Sequence, residues 1–190
     1  MTAATRVRVA VVGATGYAGA ELLRLLAAHP GVEVTTVTSE QDAGSPLASV
    51  HPGLAGLELE LVSASVDNIV GNAELAFVAL PHGSSGALVS GLLAAGLRVV
   101  DLGADFRFDS LDVYQQWYGD HPCPELLEGA VYGLSEFARS ELAEARLVAN
   151  PGCYPTGALF GLLPLAGQTR GPIIIDSKSG TSGAGRAALR

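Results

Sequence analysis

The sequence predicts an α/β fold built on a doubly wound parallel sheet, and three observations carry that expectation. Short β-branched runs alternate with helical repeats along the chain. A glycine-punctuated turn joins the first run to the first helix. No internal repeat or long linker breaks the alternation.

The elements follow in order. VRVAVV (Val7–Val12) reads as a strand buried on both faces. In YAGAELLRLLAAHP, Ala18, Leu22, Leu25 and Leu26 recur at helical spacing, and Pro30 ends the helix. VEVTTV (Val32–Val37) is a second strand, which completes a βαβ unit. LELELV (Leu57–Val62) alternates like a strand with one wetter face, and LAFVAL (Leu75–Leu80) and RVVDL (Arg98–Leu102) are buried strands. A helix over Ser84–Ala95 joins the last two. Asp105–Gly133, aromatic and weakly periodic, reads as an irregular lobe over the sheet edge. SEFARSELAEA (Ser135–Ala145) predicts an amphipathic helix capped by Ser135, and RLVA (Arg146–Ala149) another strand. The apolar helix TGALFGLLPLAG follows, then a last edge strand, PIIID (Pro172–Asp176), and the glycine–serine loop SKSGTSGAGR.

Composition narrows the function classes. The 190 residues are 48% hydrophobic and 16% charged, enough for a sizeable core and too apolar for a disordered chain. The net charge of −8 comes without any basic block, which argues against nucleic acid as a partner. No apolar run reaches the roughly 18 residues of a membrane span. Cys123 and Cys153, with no secretion signal ahead of them, read as free thiols in a reducing cytoplasm.

VVGATGYAGAEL places Gly13, Gly16 and Gly19 between the first strand and the first helix. Such a turn brings backbone N–H groups and the positive end of the helix dipole to a pyrophosphate. The second strand ends in VTSEQD. There Thr38 and Ser39 suit the 2′-phosphate of NADP, whereas Glu40 suits the ribose diol of NAD.

ANPGCYPTG sets Cys153 between a strand and a helix, with Pro155 suited to the helix's first turn. A sulfur at a helix N-terminus is favoured as thiolate, and the same N–H groups can take charge developing on a carbonyl oxygen. Cys123, in GDHPCPEL, has neither feature. His82, in LPHGSSG, and Arg107, in DLGADFRF, follow strand ends, where open α/β sheets bind ligands. Lys178 and Arg186 flank the last glycine-rich loop; His29, His51 and His121 receive no role. A thiol beside a nicotinamide points to one reaction class, an acyl thioester interconverted with an aldehyde by hydride transfer.

GATGYAGAELLRLL, LPHG, DLGADFR, NPGCYPT and SKSGTSGAGR together resemble the N-acetyl-γ-glutamyl-phosphate reductases, over residues 13 to 186. The resemblance implies a Rossmann-like domain over 1–149, then the start of a second α+β domain of glyceraldehyde-3-phosphate-dehydrogenase type over 150–190. It implies NADPH reduction of an acyl phosphate to N-acetylglutamate semialdehyde in the cytoplasm, during arginine biosynthesis, by a homo-oligomer. Cys153 matches the nucleophile; Gly13, Thr15, Gly16, Tyr17 and Ala18 the cofactor turn; Thr38, Ser39 and Glu40 the adenosine-ribose region. His82, Ser182 and Gly183 match cofactor-side positions, and Arg107 a substrate-orienting one. Glu40 and Gln41 depart from the arginine that members often carry there. The family's general acid/base histidine falls downstream of SGAGR, so these 190 residues alone are expected to be inactive or nearly so. Three rivals stand beside this reading: a reductase of N-acetylaminoadipyl phosphate, an aspartate-semialdehyde dehydrogenase, and a non-catalytic dinucleotide-binding domain.

Overall fold

The computed structural model describes residues 6–185. Among them, seven strands form one parallel sheet: β1 (Val7–Val12), β2 (Val32–Thr38), β3 (Leu61–Val62), β4 (Leu75–Val78), β5 (Arg98–Asp101), β6 (Ala130–Tyr132) and β7 (Leu147–Ala149). Their order is β3-β2-β1-β4-β5-β7-β6, and every ladder is parallel. The chain runs outward in one direction from β1 and in the other from β4, so the topological switch lies between those two strands.

β1 shows why the first apolar run is continuous. Val9 and Val11 join a cluster with Leu23, Leu26, Val37, Leu47 and Leu61 on one face. Ala10 and Val12 join Val78, Val89, Leu92 and Val99 on the other. Val9, Ala10, Val11 and Val12 are all fully buried. Each valine so covered contributes roughly 1.5–3 kcal/mol.

The helices are α1 (Tyr17–Ala27), α2 (Leu47–Val50), α3 (Val66–Ile69), α4 (Gly86–Ala94), α5 (Leu111–Tyr118), α6 (Arg139–Glu144) and α7 (Cys153–Leu162). α1 packs through Gly19, Leu23 and Leu26, while Leu25 is exposed. The rotation differs from the sequence reading because Gly19 makes the closest approach: a Cβ there would stand 2.3 Å from the Gly13 carbonyl oxygen.

Four further expectations are corrected. LELELV enters the sheet only as Leu61–Val62. Residues 44–47 take its backbone instead, with Leu47 N donating to Leu59 O, Leu61 N to Ser45 O and Gly44 N to Leu61 O. Ser135 caps no helix. Phe137 N and Ala138 N both donate to Leu134 O, and α6 starts only at Arg139. This turn sets the Phe137 ring against Phe160 of α7, with centroids 5.8 Å apart. The lobe at 105–133 is more regular than its pattern suggests: Ser110 caps α5, and β6 becomes the outer strand beside β7. PIIID forms no strand, and Ile173, Ile174 and Ile175 are exposed, Ile174 at 91%. No described strand lies beside it to take its backbone groups, and an unpaired strand does not hold alone.

Candidate active site at the carboxyl edge of the sheet

In a parallel sheet all carboxyl ends share one edge, and the candidate residues emerge there. The glycine turn follows β1, the His82 loop β4, Arg107 lies beyond β5, and Cys153 follows β7. β1 and β7 are three strand intervals apart, about 14 Å at ordinary spacing.

Gly13 adopts φ +78°, and a Cβ on it would stand 2.5 Å from Ala79 O, so the loops after β1 and β4 touch at the switch. Gly13 N donates to Thr38 Oγ1 at 3.3 Å and Ala14 N to Thr38 O at 2.9 Å. Thr38 is fully buried and works as a latch on the turn. Thr15 Oγ1 donates to Ser39 Oγ at 3.2 Å, and Ser39 Oγ donates to Asp42 Oδ2 at 2.8 Å. Glu40 is exposed and its Oε1 accepts the Ala64 N–H at 2.6 Å. Gly16 is the N-cap of α1 without a side-chain cap, and the first turn, with Tyr17 and Ala18 exposed, contains no acidic residue. An uncapped eleven-residue helix without a carboxylate at its start fits a bound pyrophosphate.

Cys153 is the first residue of α7, exposed, with Gly152 as N-cap and no side-chain cap. The other thiol, Cys123, is buried, and burial pushes its pKa up. Arg107, half-buried, donates from Nε to Asn150 O and from Nη2 to Leu102 O, both at 2.9 Å. It thereby ties the exits of β5 and β7 together beneath the cysteine turn. A Cβ on Gly152 would stand 3.0 Å from Arg107 Nη1. His82 is exposed, its ring 5.4 Å from that of Tyr118.

Ser182 and Gly183 are exposed and lie in the turn Thr181–Ala184. Gly183 N donates to Gly180 O and Gly185 N to Ser182 O. These bonds stay within the loop and do not tie it to the four strand exits. Lys178 pairs with Asp176, and Arg186 lies outside the described residues.

The sequence reading passed over four residues that build this edge. Asp105, fully buried, accepts Gly83 N–H at 2.6 Å, the Ser85 hydroxyl at 2.9 Å and the Tyr114 hydroxyl at 3.2 Å. Burial and the Asp105 carboxylate push Tyr114 up to about 12. His121 accepts the Cys123 N–H at Nδ1, so Nε2 carries the proton that it gives to Asp105 O. Asp101 ends β5 fully buried, with neither carboxylate oxygen bonded among the described residues. Burial pushes its carboxyl up to about 6, and Asp105 acts in the same direction. Against this pull the Gly103 N–H and Ser85 hydroxyl, near but short of hydrogen-bond geometry, and the Arg107 guanidinium. His51 meets the glycine turn, Nε2 standing 3.2 Å from Thr15 O. Only the two acids in DLGAD, four residues apart at a strand end, offered a signal for any of these.

A switch-point glycine turn, an uncapped helix start and an exposed thiol on a second helix start define a dinucleotide-binding α/β domain with a cysteine at its ligand edge. Residues 8–145 match the family model described as semialdehyde dehydrogenase, NAD binding domain, and 153–190 that described as semialdehyde dehydrogenase, dimerisation domain. The chain belongs to the semialdehyde dehydrogenase family. It is 51% identical to the N-acetyl-gamma-glutamyl-phosphate reductase of Heliobacterium modesticaldum, over 96% of this chain and 53% of that protein. Against the reductase of Rhodopirellula baltica it is 50% identical, over 96% of this chain and 54% of that protein. The chain thus spans about half the length of the curated relatives it matches. Aspartate semialdehyde dehydrogenase II of Vibrio cholerae, solved with ASA, superposes with TM-score 0.69 at 19% identity, covering 98% of this chain and 50% of that one. The Candida albicans enzyme, solved with NADP, gives 0.60 at 16%, covering 86% and 48%. At such identities the likeness concerns the fold alone.

Proposed function

We propose that these residues supply the cofactor cleft and the nucleophile of an N-acetyl-γ-glutamyl-phosphate reductase. The observation that carries the reading is Cys153, exposed at the start of α7 on the edge where the glycine turn also opens. The reductases that match at about half identity support the choice of acyl phosphate. The exchange of family model between residues 145 and 153 supports a dinucleotide-binding unit over 1–149 and a second unit from 150. The dimerisation match supports a homo-oligomer. Among the described residues no helix is long and apolar enough to cross a membrane. Likeness to the reductases is our ground for placing the protein in the cytoplasm.

The Cys153 thiolate attacks the acyl carbonyl, the bond to the phosphate oxygen breaks, and inorganic phosphate leaves. The first-turn N–H groups of α7 face the oxyanion that develops. Reduced nicotinamide dinucleotide, NADPH by family likeness, supplies a hydride when bound. Cys153 would be the leaving group of that reduction, its carbon–sulfur bond breaking to return the thiolate as the aldehyde departs. Gly13, Thr15, Gly16, Tyr17 and Ala18 would hold the pyrophosphate, with Ser39 and Glu40 toward the ribose. Thr38 acts one layer behind, through Gly13. Arg107 holds the cysteine turn through two backbone carbonyls, and its Nη1 is the nitrogen we assign to the substrate. We assign His82, Ser182 and Gly183 to the nicotinamide end.

The test presents the 190-residue chain with N-acetyl-γ-glutamyl phosphate generated in situ from the acid, its kinase and ATP. An acyl adduct on the Cys153 peptide, absent from Cys153→Ser, is the expected mass-spectrometric result. No adduct on a folded chain overturns the reading.

A further inference from the structure

The glycine turn is held at several points, and one of them comes from a segment that the proposed chemistry does not use. Gly13 and Ala14 are tied to Thr38, and the Thr15 side chain to Ser39. A further contact is His51 Nε2 on the Thr15 carbonyl oxygen at 3.2 Å, from 36 residues away. A carbonyl only accepts, so Nε2 is the nitrogen that carries the proton in this contact.

The peptide between Thr15 and Gly16 is one rigid plane. Gly16 N donates to Gly13 O at 3.1 Å, and Thr15 O receives His51. With both ends held, the plane cannot rotate to bring its oxygen toward the start of α1. That rotation would place a partial negative charge where an anion is to bind. His51 is itself preset for the task. Its N–H donates to Leu47 O at 3.0 Å, its carbonyl accepts Leu54 N–H at 2.9 Å, and Pro52 follows directly. Leu47 anchors the segment in the core, fully buried.

We propose that His51 is a positioning residue of the dinucleotide site, holding the Thr15–Gly16 peptide so that the start of α1 presents donors to the pyrophosphate. The inference rests on the dinucleotide reading and adds a residue and a mechanism to it. The test measures NADPH affinity of the 190-residue chain by calorimetry, alongside urea unfolding without ligand. His51→Leu removes the donor and is expected to weaken NADPH binding about tenfold with little change in the urea midpoint. His51→Gln, whose amide can reach the position of Nε2, is expected to stay within threefold of the parent. His51→Asn, too short to reach, keeps polarity and is expected to fail like leucine, which preserves the test should the leucine variant not fold. Leucine and asparagine variants that bind as tightly as the parent, or a glutamine variant as weak as leucine, overturn this inference alone. A parent chain that binds no dinucleotide overturns the cofactor reading and this inference together.

Discussion

The Arg107 guanidinium holds the Asn150 carbonyl, Nε donating to it at 2.9 Å across 43 residues of sequence. A second nitrogen holds Leu102 O, so one side chain joins the exits of β5 and β7 just before the cysteine turn. Arg107→Ala is expected to cost about 3 kcal/mol in urea unfolding, since two carbonyls lose a charged donor. Arg107→Lys, a point charge without the planar fork, should recover only part of this. Iodoacetamide should alkylate Cys153 at an altered rate in both variants, and an unchanged rate would separate Arg107 from the thiol.

Asp101 makes stability depend on pH in an unusual direction for an acid. Its carboxyl lies at about 6 in the fold against an ordinary 3.8. Below about pH 4 both folded and unfolded chains hold the proton and nothing is lost. Between about 4 and 6 the unfolded chain releases it while the fold retains it, and stability falls. Above about 6 the full penalty is present, about 3 kcal/mol. Asp101→Asn should remove this slope, so that urea midpoints from pH 4 to 8 fall less than in the parent.

Gly13 and Gly44 both have positive φ, yet only one of them is crowded. Gly13→Ala must combine left-handed strain with displacement of the Ala79 carbonyl, and is expected to cost more than about 2 kcal/mol and abolish dinucleotide binding. Gly44→Ala meets nothing within 4 Å and should cost about 1 kcal/mol with binding retained. Unfolding curves and calorimetry on the pair check this.

The two thiols should differ sharply toward alkylation. Cys153 is exposed at a helix start, whereas Cys123 is 8% exposed with its pKa pushed up by burial. One equivalent of iodoacetamide adduct, all on Cys153, is expected in the native chain, and a second only in urea. Peptide mapping reads the outcome.

The strands that order the sheet's centre were legible because they are buried on both faces, which leaves an uninterrupted apolar signature such as Val9–Val12. The turns that bear Gly13 and Cys153 were legible because glycine and proline carry backbone geometry in their own chemistry. What escaped depended on partners distant in sequence. LELELV alternates as a strand should, but residues 44–47 claim its hydrogen bonds. Ser135 has a capping side chain, but Phe137 is drawn to Phe160. Thr38 carries a hydroxyl a phosphate would want, and the fold turns it inward to Gly13. Asp105 gathers Gly83, Ser85 and Tyr114, contacts that no local pattern announces.

The isoleucine run at 173–175 has a consequence for handling the chain. Three β-branched side chains face solvent, and among the described residues no strand pairs with the main chain that carries them. Such a stretch is half of a zipper, and a second extended segment meeting it would find both main-chain donors and an oily surface. Solutions of these residues should therefore clump as concentration rises, and a lysine in place of Ile174 should keep them clear.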